Sequence, residues 1–177
     1  MPRISKAAGS VALVTGANRG IGLAFVRELA ARGARKVYAG VRRPGDVTGQ
    51  FSELPVEVVP LDVTELALVQ VAAAGCPDVN LLVNNAGLFT NHRLVLTDDL
   101  DAARREMEVN YFGVLNMTRA FAPVLGADGG GYSRTVRFVP AAGGRTGIVA
   151  VDLHATDREH GVGRNGELCH TLIIRLV

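Results

Sequence analysis

The sequence predicts an α/β fold: a parallel, doubly wound sheet with helices on both faces. Three observations carry this expectation. Strand-length apolar runs alternate with helix-length amphipathic stretches over the first 125 residues. The first of these runs, ending at Thr15, is short and apolar, as in a parallel strand covered on both faces. A glycine-rich turn joins the first of these strands to the first helix.

The elements follow in order. Ser10 to Thr15 is the first strand, closed by a glycine. Ile21, Leu23, Val26, Leu29 and Ala30 form an apolar stripe between Gly20 and Arg32, and Gly33 is a natural stop. Lys36 to Val41 is the second strand. Residues 42–51 are polar and carry Gly and Pro, a loop with one helical turn. Val56 to Leu61 is the third strand, and Thr64 stands where it can cap a helix ending near Ala74. Val79 to Val83 is the fourth strand. Thr97 stands where it can cap a long helix through about Leu125, with Leu100, Met107, Val114, Met117, Phe121 and Leu125 among its apolar positions.

After Gly126 the pattern weakens. Gly129-Gly130-Gly131 is a flexible break, and Thr135 to Val139 reads as a fifth strand. Gly147 to Val151 and Thr171 to Ile174 are further strand candidates, while Asp152 to Glu167 is polar with no amphipathic period. The expected organisation is therefore a core over residues 1–128, with residues 129–177 an atypical C-terminal segment of the same domain. The sheet is expected to stop, truncated, at about five strands.

Composition narrows the function classes. At 177 residues the chain has room for one domain, and 48% hydrophobic with 20% charged residues is a globular balance. A net charge of +2 argues against nucleic acid and against an anionic membrane as partners. No apolar run reaches the ~18–20 residues of a membrane span, and Met1 to Lys6 lacks the apolar stretch of a secretory signal. Cys76 and Cys169 have no CxxC spacing and suggest no disulfide framework, so a reduced, cytoplasmic setting is expected. His154, His160 and His170 are not spaced to share one helical turn, and no metal site is expected from them.

The turn Thr15-Gly16-Ala17-Asn18-Arg19-Gly20-Ile21-Gly22 has a specific chemistry. One glycine lets the chain turn at the strand end, another lets backbone N–H groups approach a pyrophosphate, and the last lets the helix pack close. The helix N-terminus adds partial positive charge. A Rossmann-like dinucleotide site is expected here, the alternative being an ordinary βα loop rich in glycine. For NAD an acid would be expected at the end of the second strand to hold the ribose hydroxyls. The chain has Gly40-Val41-Arg42-Arg43 there, and no acid before Asp46. Arg42, with Arg19 from the turn, is suited to a 2′-phosphate, so NADP(H) is expected in preference to NAD(H). The alternative is that Arg42 and Arg43 are solvated loop charges.

Four motifs in order then resemble the short-chain dehydrogenase/reductase family over about residues 9–125. They are the TGxxxGxG turn at Thr15–Gly22, Leu61-Asp62-Val63-Thr64, Asn84-Asn85-Ala86-Gly87, and Glu108-Val109-Asn110. The resemblance implies a carbonyl/alcohol oxidoreductase using a nicotinamide dinucleotide, with a small-molecule substrate and a possible oligomer. It implies cofactor contacts from Gly16, Asn18, Arg19, Gly20, Ile21, Gly22, Arg42, Asp62, Val63, Asn85, Ala86 and Gly87. Asn110 corresponds to the family's helical asparagine, which positions a proton-relay water. Taken singly, Asp62 also reads as a helix cap and Asn110 as a surface polar residue.

The family's Tyr-x-x-x-Lys is absent. A tyrosine, with its pKa near ~10, is a poor base at neutral pH without a nearby cation. Here Tyr38, Tyr111 and Tyr132 are followed four residues on by Arg42, Leu115 and Val136, and no lysine occurs after Lys36. Where the family's serine would follow the fifth strand stand Pro140, Ala141 and Ala142. Three readings follow: a family-type oxidoreductase inactive as this chain, a non-catalytic NADPH-binding module, or a truncated or frameshifted product. The switch to a pattern-poor tail after Gly131 motivates the last reading, and arginine outnumbering lysine 17 to 2 fits a GC-rich source.

Overall fold

The computed structural model describes residues 7–90, 100–127, 131–140 and 146–155. The chain runs β1 (Val11–Thr15), α1 (Gly20–Ala31), β2 (Lys36–Val41), a short 3₁₀ turn (Pro44–Val47), β3 (Val56–Pro60), α2 (Leu66–Gly75) and β4 (Leu81–Asn84). It continues with α3 (Asp101–Met107), a wide π turn (Glu108–Phe112), α4 (Gly113–Leu125), β5 (Gly131–Pro140) and β6 (Thr146–Ala155). The sheet order is β3-β2-β1-β4-β5-β6. The first five strands are parallel, and β6 pairs antiparallel to β5. The expected Rossmann-like doubly wound sheet is present, with five parallel strands and one antiparallel strand beyond them.

The two faces are written into β1. Its five residues are all buried. Val11 and Leu13 point to the face covered by α2 and α4, against Val69, Ala72, Met117 and Phe121. Ala12 and Val14 point to the face covered by α1, against Val26 and Leu29. The two-residue period of the strand thus feeds two hydrophobic layers, which is why an unbroken apolar run suits this position.

Several boundaries differ from the sequence expectation. Thr64 does not cap α2: its hydroxyl donates to Asp62 Oδ1 at 2.7 Å, and the residue preceding the helix is Glu65. The aspartate captures the threonine in a local turn before the helix begins. The long helix is interrupted by the π turn, which no apolar period reveals. β4 starts at Leu81 because Asn80 Oδ1 accepts the Val11 N–H at 3.0 Å, a side chain standing in for a ladder partner. β5 begins at Gly131, inside the glycine run expected to be a break, and β6 continues through Asp152–Ala155, expected to be irregular. Both follow from long-range pairing, Gly131 with Ala155 and Arg134 with Asp152, which local composition does not encode. Thr97, His160, His170, Cys169 and the candidate strand Thr171–Ile174 lie outside the described residues. Among the described residues no helix is long and apolar enough to cross a membrane.

Candidate functional site

The order of strands reverses between β1 and β4, and the crevice outside their carboxyl ends is the expected binding position in an open α/β sheet. The turn from β1 into α1 enters this crevice. Gly16 has φ 66° and Gly20 φ 56°, left-handed conformations that favour glycine. Arg19 is extended and exposed, and α1 begins at Gly20 with no side chain capping it and no acid in its first turn. The first backbone bond into the helix is from Leu23 N–H to Arg19 O. The N–H groups of Gly20, Ile21 and Gly22 therefore have no acceptor within the helix, and they carry the positive end of its dipole. Asn18 and Ile21 are half-buried beside them.

This turn is locked to the end of β4. The buried Thr15 hydroxyl oxygen accepts the N–H groups of Asn85 (3.0 Å) and Ala86 (2.9 Å). In return Asn85 Nδ2 donates to the carbonyl oxygens of Thr15 (2.9 Å) and Gly16 (3.3 Å). Gly22 fits against this knot so closely that a Cβ there would lie 2.2 Å from Gly16 O and 2.5 Å from Asn85 Nδ2. The glycine at this position is thus a packing requirement between α1, the turn and the Asn85–Gly87 segment. Asn84, by contrast, turns into the sheet, where its Nδ2 donates to the buried Ser133 hydroxyl at 3.3 Å.

On the β2–β3 side of the crevice, Arg42 and Arg43 leave the end of β2 exposed, and neither pairs with an acid among the described residues. Asp62 follows β3, and its Oδ1 accepts from both the N–H and the hydroxyl of Thr64. Val63 is pinned from the helix side. Its carbonyl accepts from Asn116 Nδ2 at 3.2 Å, and its Cγ2 lies 2.6 Å from where a Cβ on Gly113 would stand.

On the β4 side, Asn110 sits in the π turn, a distortion that recurs at functional positions. Its Oδ1 accepts the Leu88 N–H at 2.9 Å and its Nδ2 donates to the Leu88 carbonyl at 2.7 Å. Glu106, from α3, accepts both the N–H (2.6 Å) and the hydroxyl (2.5 Å) of Thr90. Among the described residues, four hydrogen bonds thus hang residues 88–90 from the helix. Thr15, Thr90 and Glu106 were not singled out from the sequence. Thr15 left a signal, a hydroxyl at the end of a wholly buried strand that must find partners. Glu106 left none.

At the opposite ends of the strands lies another polar cluster. Lys36 Nζ donates to the Tyr38 hydroxyl (2.9 Å) and pairs with Glu57 (2.6 Å), and the Tyr38 hydroxyl donates to Asp78 (2.9 Å). Lys36, Glu57 and Asp78 border an open groove of about 480 Å³. Glu57 raises the Lys36 pKa, burial raises that of Tyr38, and burial pushes the Cys76 thiol nearby up to about 11. Lys36 pairs along the sheet with Val11 at the start of β1, whereas the glycine turn leaves its other end. This tyrosine–lysine contact is therefore remote from the crevice.

The sequence matches the short chain dehydrogenase family over residues 10–138. It is 33% identical over 134 residues to a short chain dehydrogenase of Aspergillus terreus, covering 70% of this chain and 29% of that protein. It is 36% identical over 131 residues to an uncharacterised oxidoreductase of Mycobacterium tuberculosis, covering 68% of this chain and 53% of that one. Among solved structures, a short chain dehydrogenase from Burkholderia cenocepacia in complex with NADP is similar at 48% identity and a TM-score of 0.66, over 70% of this chain and 52% of that one. The chain spans about half the length of that structure and of the mycobacterial relative, and less of the fungal one.

Proposed function

The chain belongs to the short-chain dehydrogenase family, and on that premise we propose that it binds NADP(H) in the β1/β4 crevice. The observation that carries the reading is the uncapped N-terminus of α1, held open by the knot of Thr15, Gly16, Gly22 and Asn85. Three unpaired N–H groups at a helix start with no acid in its first turn fit a pyrophosphate. In this reading Gly16, Asn18, Gly20, Ile21 and Gly22 form the cradle. Arg19 and Arg42 face the 2′-phosphate, and two guanidinium groups there favour NADP(H) over NAD(H). Asp62 and Val63 border the adenine, and Asn85, Ala86 and Gly87 line the floor. Asn110 acts by fixing the loop at Leu88.

When bound, the cofactor would supply hydride exchange with a carbonyl or alcohol carbon. This chain's own residues bind and orient it. No Tyr-x-x-x-Lys is available to move the proton to or from the substrate oxygen. The polypeptide is accordingly an oxidoreductase by family and a dinucleotide-binding module by its own chemistry.

Thermal unfolding with added cofactor tests the binding reading. Ligand at about 100 times its Kd stabilises by roughly 2.7 kcal/mol, which raises Tm by about 5–10 °C in a protein of this size. NADP⁺ is expected to give this rise and NAD⁺ at equal concentration a smaller one. An unchanged Tm with both contradicts the reading.

A further inference from the structure

The two hydrogen bonds from Thr90 to Glu106 call for an explanation that Asn110 does not supply. Asn110 already fixes Leu88 through both its backbone groups. Glu106 adds a second anchor two residues further along the loop, and directs one carboxylate oxygen at both donors of Thr90. A charged acceptor taking two short bonds is a strong tether. The loop it holds continues directly from Asn85–Gly87, and Gly87 itself lies under Asn110, its Cβ position 3.4 Å from Oδ1.

The topology says which part of a ligand this loop meets. A dinucleotide lies across the crevice at the switch point. Arg42 and Asp62, after β2 and β3, stand on one side of β1, and the Glu106-held loop, after β4, stands on the other. If the 2′-phosphate and adenine occupy the arginine side, the second nucleotide lies toward the loop.

We propose that Glu106 is a positioning residue: by holding Thr90 it keeps the loop after Gly87 in the form that receives the nicotinamide half of NADP(H). The inference rests on the NADP(H) reading above. A loop held in its receptive form for only a fraction of the time weakens the apparent affinity by that fraction.

The test is a calorimetric titration of the full chain and two variants with NADPH and with 2′,5′-ADP, which carries only the adenosine half. Glu106→Ala is expected to weaken NADPH binding about tenfold while leaving 2′,5′-ADP within about twofold. Glu106→Gln keeps an oxygen that can accept both bonds and is expected to restore most of the affinity. Unchanged NADPH binding in Glu106→Ala overturns the proposal. So does an equal loss for both ligands, which would mark a general structural role, and so does a Glu106→Gln as weak as the alanine variant. If the unaltered chain binds neither ligand, the NADP(H) reading fails and takes this inference with it.

Discussion

At the scale of single residues, the site is held by polar groups that answer one another. Thr15 accepts two amides and Asn85 returns two bonds, so the buried hydroxyl and the half-buried amide beside the crevice are both partnered. The glycine pattern was legible from sequence because its spacing reflects backbone geometry, and Gly16 and Gly22 stand where close contact demands them. Glu106 was not legible, since an acid on a helix carries no mark of the loop it will meet. A residue-scale prediction concerns alkali. The fold raises the pKa of Cys76 from 9.0 to about 11 and raises those of Tyr38 and Lys36. All three are thus kept protonated in the folded state. Each contributes stability that is full below its unfolded pKa and is lost as pH rises through the folded value. Circular dichroism melts should show a Tm level between pH about 7 and 8.5, then falling by at least about 3 °C by pH 11. In Cys76→Ser the fall should be shallower, because one of the three groups no longer titrates there. An equally steep fall in the variant would show that Cys76 is not a contributor.

At the scale of elements, strand and helix identities followed from apolar runs and stripes, and their ends did not. Asp62 captured Thr64 and moved the start of α2, and Asn80 replaced a rung of the ladder at β4. Such local competition is set by side-chain geometry that a period does not carry. The joint between α4 and the turn after β3 is the sharpest packing constraint of this kind. A methyl group at Gly113 would stand 2.6 Å from Val63 Cγ2 and 3.1 Å from its Cβ. Gly113→Ala should therefore destabilise by about 1–3 kcal/mol in urea unfolding, the range for overpacked contacts. Removing the opposing methyls with Val63→Ala in the same chain should recover part of that loss. Additive losses in the double variant would show that the two positions do not meet.

At the scale of the whole molecule, the first two thirds of the chain agree at every level: periodicity, turn chemistry, packing in two layers and family likeness through residue 138. From Gly131 on, β5 is held between β4 and β6, and this part of the sequence carries neither the family's tyrosine nor its lysine. On the reading proposed above, the chain keeps residues for binding the dinucleotide and lacks the pair that would move the substrate's proton. The direct test is the nicotinamide fluorescence of NADPH titrated with the full chain, with a set of small aldehydes and ketones then added to the saturated mixture. The expected result is a saturable enhancement that does not decay when the carbonyl compounds arrive. No enhancement would contradict the nucleotide site, and a carbonyl-dependent decay abolished by a point change after Gly131 would contradict the separation of binding from turnover.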